Sequence, residues 1–588
     1  MTTSSADTCA TRPVHEKARR RVPLQFDENG HPYFGSVASP ESFRMRALCV
    51  MPPRHVIPVI FVPGIMGSNL KANEMAKRPG IPAWRPPNGI IDGLIEVGRR
   101  IRQSPKDRQI QMTPEEVEVD RSGDIHVPRN LYTLTKSEAE RRGWGEIHLG
   151  SYGTVLAELE IALNEQYADA GTKDCKPLPV WEIAWTLKRR SGSASDEMVD
   201  VVDQDWRPVN TDVPPLSEQE FNRLDDYFYP VWACGYNWLE SSELSSDRLI
   251  ARIQEAIDWY KKDSYWISID KVIVVTHSMG GMVARRAVQK APDRILGVVH
   301  GVQPVGGAPV VYRRLRSGTE VNGWSDIGGA AAAVVMGWSA ADVTCVMANS
   351  PGPLELLPTK HHPPGWLRFE QRRNGKTREL MPPMPISDPY AEIYAKRVQD
   401  VWWGMIDETL IDPANLAQKN NTNPSAMYGA ALKKARLFHD RIKLDCHPVT
   451  FAHYGSDPGQ VSFGRVVWTT SDEVGAEAES GLSDAQTQSF TRLGRAVLAF
   501  GEQKVSMKLE NNESLATHGA VHAGDGTVAL ESGALIADAT PTPKVFGMIG
   551  FDHSGSYRNK NVLSNVIYCI AKIVQLAPVV GKPSSSED

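Results

Sequence analysis

The segment KVIVVTHSMGG (residues 271–281) restricts the fold of this chain more than any other. An apolar run, Val272 to Val275, leads into Thr276, His277, Ser278, Met279 and Gly280, and a helical pattern carrying Arg285 and Arg286 follows at once. A strand that passes so abruptly into a helix presents the residue at the turn, here Ser278, in a strained conformation. Small neighbours are needed two positions to either side so that the two backbones can approach. Gly280 and Gly281 meet that need, whereas Thr276 stands where a glycine is usual. A serine presented in this way is expected to be a nucleophile. Its hydroxyl becomes one only when a base takes its proton and hydrogen-bond donors receive the developing oxyanion.

The donors are expected upstream, where PVIFVPGIMGSNL (58–70) runs from a hydrophobic strand into a glycine-punctuated turn. The backbone N–H groups of Ile65 and Met279 would form the oxyanion hole, with Gly64 and Gly67 allowing close approach. In a strand–turn–helix of this type the acid and then the base follow the serine along the chain. Asp525 in GDGTV (524–528) is the preferred acid, and Asp457, which follows a strand, is its rival. His553 lies 28 residues after Asp525, between the last strand pattern and the terminal helix, and is the candidate base. The carboxylate would fix its tautomer and the imidazole would deprotonate Ser278. The alternative for His553 is a mere surface pair with Asp552 beside it. His447, His453, His518 and His522 read as structural or exposed. His361 and His362 read as a surface loop, with no carboxylate or cysteine at metal-ligand spacing. No metal and no cofactor is called for, and no phosphate loop of the G-x-x-x-x-G-K-[ST] kind is present.

Short β-branched runs alternate with helical patterns, which favours an α/β fold with a mostly parallel sheet flanked by helices. Strands are expected at 56–62, 272–275, 295–302, 449–454 and 545–549. Helices are expected at 155–167, 246–261, 282–290 and 562–576, the last with an apolar stripe made for packing on a sheet. The 588 residues divide into an N-terminal segment (1–50) and a first part of the core (51–310) that carries an insertion at about 71–150. A large cap or lid insertion (311–444), a second part of the core (445–580) with a smaller insertion at about 457–515, and a tail (581–588) complete the chain.

Lys and Arg number 65 against 70 Asp and Glu, a net charge of −5 without the basic excess of a nucleic-acid binder. Seven cysteines without a CxxC pair supply neither a disulfide framework nor a zinc site. No export signal is readable, so synthesis in the cytoplasm is expected. The apolar run 327–338 is too short for a spanning helix, which needs about 20 residues. Its Ala330–Val335 stretch, with Trp338 and the pair Trp402–Trp403, is a candidate membrane-facing or acyl-binding surface, although packing inside the insertion accounts for each residue singly.

Taken together, these motifs resemble the lipase branch of the α/β hydrolases that includes lecithin:cholesterol acyltransferase and the GPI inositol-deacylase-like enzymes. Beside the serine and oxyanion segments, ACGYNW (233–238), VQPVGGAP (302–309), SPGPLELLP (350–358) and GDGTV (524–528) carry the likeness. The last of these supports Asp525 over Asp457. The long chain with its insertions looks most like the type VI secretion lipase effectors of the fourth class. What the resemblance implies is hydrolysis of glycerophospholipid acyl esters, of the phospholipase A type, through an acyl-serine on Ser278. It also implies secretion to a target cell, action at a membrane surface, a cognate immunity protein and a secretion-apparatus partner. An acyltransferase of the same fold and a catalytically silent binding protein are the competing readings. The presence of nucleophile, acid, base and oxyanion loop in order argues against the silent one.

Overall fold

The computed structural model describes residues 19–35, 46–86, 88, 103–168, 176–190, 205–262, 264–319, 337–491, 493–511 and 522–580. Its centre is a six-stranded sheet of β1 (Val59–Val62), β2 (Val231–Ala233), β3 (Val272–His277), β4 (Ile295–Gly301), β5 (Thr450–Gly455) and β6 (Lys544–Met548). The spatial order is β2-β1-β3-β4-β5-β6 and every pair is parallel. All residues of β3 and β4 are buried, as expected when helices cover both faces of a parallel sheet. The apolar run expected from 56 to 62 divides into His55–Val56 and β1, because Pro58 between them has no N–H to give to a ladder.

Alternation along the strands sorts the side chains into two cores. Val59, Phe61, Ile273 and Val275 face a layer containing α1 (Leu149–Asn164) and the terminal helix Lys560–Val574. Ile60, Val62, Val272 and Val274 face α2 (Ser242–Trp259) and α3 (Gly280–Lys290). The terminal helix buries Val562, Leu563, Val566, Ile567, Ile570, Ile573 and Val574, the stripe expected for it. Among the described residues no helix is long and apolar enough to cross a membrane.

A second six-stranded sheet lies outside this core. Its order is 376–384, 367–373, 466–470, 503–509, 495–500 and 486–491, so it draws strands from both sides of β5 in the chain. The pairing of Leu367–Arg373 with Val466–Thr470 is parallel and the others are antiparallel. This sheet and the helix Pro424–Ile442 share one apolar cluster and form a cap. Trp402 and Trp403 are buried inside that cluster, at 1% and 6% exposure, and not on a membrane-facing surface. The Trp402 indole N–H donates to the Leu482 carbonyl at 2.8 Å, and the Trp403 carbonyl accepts from the Tyr312 hydroxyl at 2.6 Å. Trp338 is 42% exposed, whereas most of the apolar run before it lies outside the described residues. His362 is likewise not on a surface loop. It is 5% exposed, with Nε2 3.4 Å from the Gly464 carbonyl.

Candidate active site

Strand β3 ends at His277 and helix α3 begins at Gly280, leaving Ser278 and Met279 to make the turn. Ser278 has φ of 53°, in the left-handed region that costs a residue with a side chain about 1 kcal/mol or more. Its N–H is held by the Gly301 carbonyl on β4 at 2.8 Å. A Cβ on Gly280 would stand 2.5 Å from the carbonyl oxygens of Val62 and Pro63, so no larger residue fits where α3 meets the end of β1. Thr276 is accommodated without a glycine's freedom, since its hydroxyl points across the ladder to His300 Nδ1, 2.9 Å away.

The last strand, β6, leads into a loop that carries His553 to the serine. His553 Nε2 is 2.9 Å from Ser278 Oγ, and Nδ1 is 2.8 Å from Asp525 Oδ2. Asp525 is 1% exposed. Its other oxygen accepts the N–H groups of Thr527 at 3.0 Å and Val528 at 2.7 Å. With Asp525 accepting at Nδ1, the imidazole carries its proton there and leaves Nε2 free to take the one on Ser278. The loop is further tied by the His553 N–H, which donates to the Asp525 carbonyl at 2.7 Å.

Asp457 is not brought to the imidazole. Its carboxylate accepts the N–H of Gly459 at 2.8 Å and of Gly550 at 2.9 Å, and its backbone pairs with Gly524. It therefore clamps the loops bearing Asp525 and His553 together. Asp552 makes no pair with His553 either; its Oδ1 accepts the Ser554 hydroxyl and the Gly555 N–H.

Ile65 and Met279 flank the serine from the oxyanion loop and from the start of α3. Neither backbone N–H has a hydrogen-bond partner among the described residues. A Cβ on Gly64 would lie 2.9 Å from Ser278 Cβ, which measures how closely the loop approaches. Both Ile65 and Met279 touch the apolar cluster of the cap. Ser278 itself is 4% exposed. Among the described residues no group of three or more His, Cys, Asp and Glu side chains gathers where a metal could be held.

Two further residues of the site, His277 and Tyr152, stand outside the expected catalytic set. Burial, aided by the nearby His553, pushes the His277 imidazole down to about 3, and Tyr152 is raised above its ordinary range by burial. The two rings touch, with Tyr152 Oη 2.9 Å from His277 Nδ1. His277 was available as the neighbour of Ser278, but Tyr152 lies 125 residues away and carries no local motif.

A buried parallel sheet, a serine on its strand-to-helix turn, and acid and base on later loops define an α/β hydrolase of the serine-esterase type. Comparison with known proteins agrees. Residues 240–306 match the family described as "Putative serine esterase (DUF676)". The solved structure of the Tle4–Tli4 complex is similar to this chain at 27% identity, with a TM-score of 0.68, covering 90% of this chain and 100% of that one. Tle4 is a type VI lipase effector, the class that the sequence motifs resemble. No curated protein sequence matches the chain. The chain is accordingly an ester hydrolase with the architecture of a lipase effector.

Proposed function

We propose that the chain is a phospholipase A that cleaves acyl esters of glycerophospholipids through an acyl-enzyme on Ser278. Ser278 Oγ attacks the acyl carbonyl while His553 Nε2 takes its proton. The N–H groups of Ile65 and Met279 hold the oxyanion that forms. Collapse of the tetrahedral intermediate returns the proton from His553 to the departing lysophospholipid oxygen. Water, deprotonated by His553, then attacks the acyl carbonyl and releases a fatty acid, restoring the serine. Asp525 keeps the imidazole in the reactive tautomer and offsets its charge.

The single observation that carries this reading is the unbroken contact from Ser278 Oγ through His553 to Asp525, at 2.9 and 2.8 Å. A lipid substrate is favoured by the surroundings. The serine is almost fully covered, and the apolar cluster above it reaches the turn through Met279 and Met282. The likeness to Tle4 in its complex with Tli4 supports a protein inhibitor of the same kind for this chain, and delivery by a secretion apparatus to act at a target membrane.

The test is mass-spectrometric detection of lysolipid and free fatty acid from mixed phospholipid vesicles, with Ser278→Ala as the control. Release of both products by the wild type alone supports the reading, and the lysolipid isomer identifies the ester cleaved. A folded protein that releases neither across pH and divalent ion concentration overturns it.

A further inference from the structure

His277 stands inside the site yet has no part in the reaction as written. It is 4% exposed, and its ring centroid is 5.0 Å from that of His553. Its Nε2 lies 2.9 Å from the backbone carbonyl oxygen of His553. A carbonyl oxygen only accepts, so Nε2 must carry the proton, and in a neutral ring Nδ1 is then an acceptor. The group 2.9 Å from Nδ1 is the Tyr152 hydroxyl, which must donate to it. With its proton committed, the Tyr152 oxygen accepts the Gly64 N–H at 3.1 Å.

One fixed direction at the carbonyl thus fixes every other bond. The chain of donors runs from the Gly64 N–H to Tyr152, from Tyr152 to His277, and from His277 to the main chain of His553. It begins one residue before Ile65 and ends on the residue whose imidazole faces Ser278. It bypasses the serine, linking the oxyanion side of the site to the base side through a separate path.

The space around it is closed. A Cβ on Gly64 would stand 2.9 Å from His277 Nδ1, and one on Gly67 would stand 2.6 Å from the Tyr152 ring. Tyr152 also packs on Phe61 of β1, with centroids 5.3 Å apart. Charge matters as well as geometry. A second cation beside His553 would oppose formation of the imidazolium during each acyl step, and burial keeps His277 uncharged.

The geometry points to His277 and Tyr152 as positioning residues that hold the oxyanion loop and the His553 imidazole in register about Ser278 through this one-way hydrogen-bond chain. The inference rests on Ser278, His553 and Asp525 acting as described above.

The test compares Tyr152→Phe, His277→Leu, the double variant and His277→Gln with wild type and Ser278→Ala. The full-length chain is used on a soluble short-chain ester, with kcat, KM and melting temperature measured for each. Tyr152→Phe removes one oxygen and leaves the ring on Phe61. It is expected to lower kcat about tenfold, the equivalent of one hydrogen bond felt in the transition state, with KM little changed. His277→Leu should cost at least as much, and the double variant no more than His277→Leu alone, because both act through one chain. His277→Gln, whose amide can donate to the His553 carbonyl, should recover most of the lost kcat. If His277→Leu does not fold, Tyr152→Phe and His277→Gln decide the matter. Wild-type kcat in Tyr152→Phe, or a glutamine variant no better than leucine, would overturn the inference while an inactive Ser278→Ala leaves the serine mechanism standing. An active Ser278→Ala would remove both.

Discussion

Every strand of the central sheet runs parallel, and nearly every residue in it is buried, whereas the cap sheet mixes orientations and leaves its two edge strands largely open. Lys376–Met384 and Gln486–Thr491, at the cap's edges, are mostly exposed or half-buried. The first of them carries Lys376, Arg378, Pro382 and Pro383, charges and prolines of the kind that discourage another chain from pairing there. The candidate catalytic residues are carried by the central sheet, on the loops that follow the carboxyl ends of β1, β3, β5 and β6. The cap supplies an apolar cluster that comes down onto the serine turn. The central sheet fixes atoms to within hydrogen-bond distances, whereas the outer sheet meets the serine turn only through apolar packing.

If that division is right, the largest effect belongs to the core. Ser278→Ala should lower kcat by at least about 10^4-fold, as loss of a nucleophile does in other serine hydrolases, with no fall in melting temperature. Retained activity would break the comparison at its root. The two aspartates sharpen it next. Asp525→Asn is expected to cost about 10^3- to 10^4-fold by disturbing the imidazole tautomer. Asp457→Asn, which loosens only a clamp between loops, should cost less than about tenfold in the same assay. The reverse order would assign the acid to Asp457.

A cap substitution should act differently. Trp402→Ala removes a buried aromatic side chain and is expected to cost about 3–5 kcal/mol of stability in denaturant unfolding. Its turnover of a soluble ester at a temperature where it is folded should suffer less than its turnover of vesicle phospholipid. Equal losses on both substrates would mean that the cap shapes the reacting atoms themselves.

The last effect is one of pH and spans both regions. Burial pushes His277 and His300 down to about 3, and His453 down to about 4, in the core. It pushes His362 and His439 down to about 4 in the cap. Unfolded, these imidazoles take up protons below about 6.5, while the folded protein refuses them until near 3 to 4. The unfolded state therefore binds more protons in that window, and stability falls as pH drops through it, by up to about 1.4 kcal/mol per pH unit for each group. Glu355, pushed up to about 8 by burial, acts in the opposite sense, so urea midpoints measured from pH 7.5 to 5 should decline by less than the imidazoles alone would give. A midpoint that rises throughout this range would contradict the dominance of the buried rings.

The same contrast explains what could be read in advance. The core strands and helices lie close to where alternation and helical spacing put them, because each βα step is local and both faces of each strand are apolar. β3 begins at Val272 as expected and extends two residues further, to His277. The cap was opaque because its pairing is remote: Leu367 pairs with Val466 across β5 and the helix before it. Nothing near His362 in the chain announces that Gly464 will cover it, and nothing near Trp402 announces the Leu482 carbonyl. Within the site, legibility is similarly uneven. Ser278, Asp525 and His553 sit in short motifs, and the structure brings all three together. Tyr152 lies on a helix with no motif, and only the folded chain sets its hydroxyl between Gly64 and His277.

The most direct test of Ser278 as the nucleophile is covalent capture. The wild-type protein and the Ser278→Ala and Asp525→Asn variants would be treated with a fluorophosphonate, followed by intact-mass measurement and peptide mapping. A single adduct on Ser278 in the wild type, absent from Ser278→Ala and formed far more slowly in Asp525→Asn, is the expected result. An adduct on another residue, or ester hydrolysis that persists in wild-type protein with Ser278 fully blocked, would contradict the account.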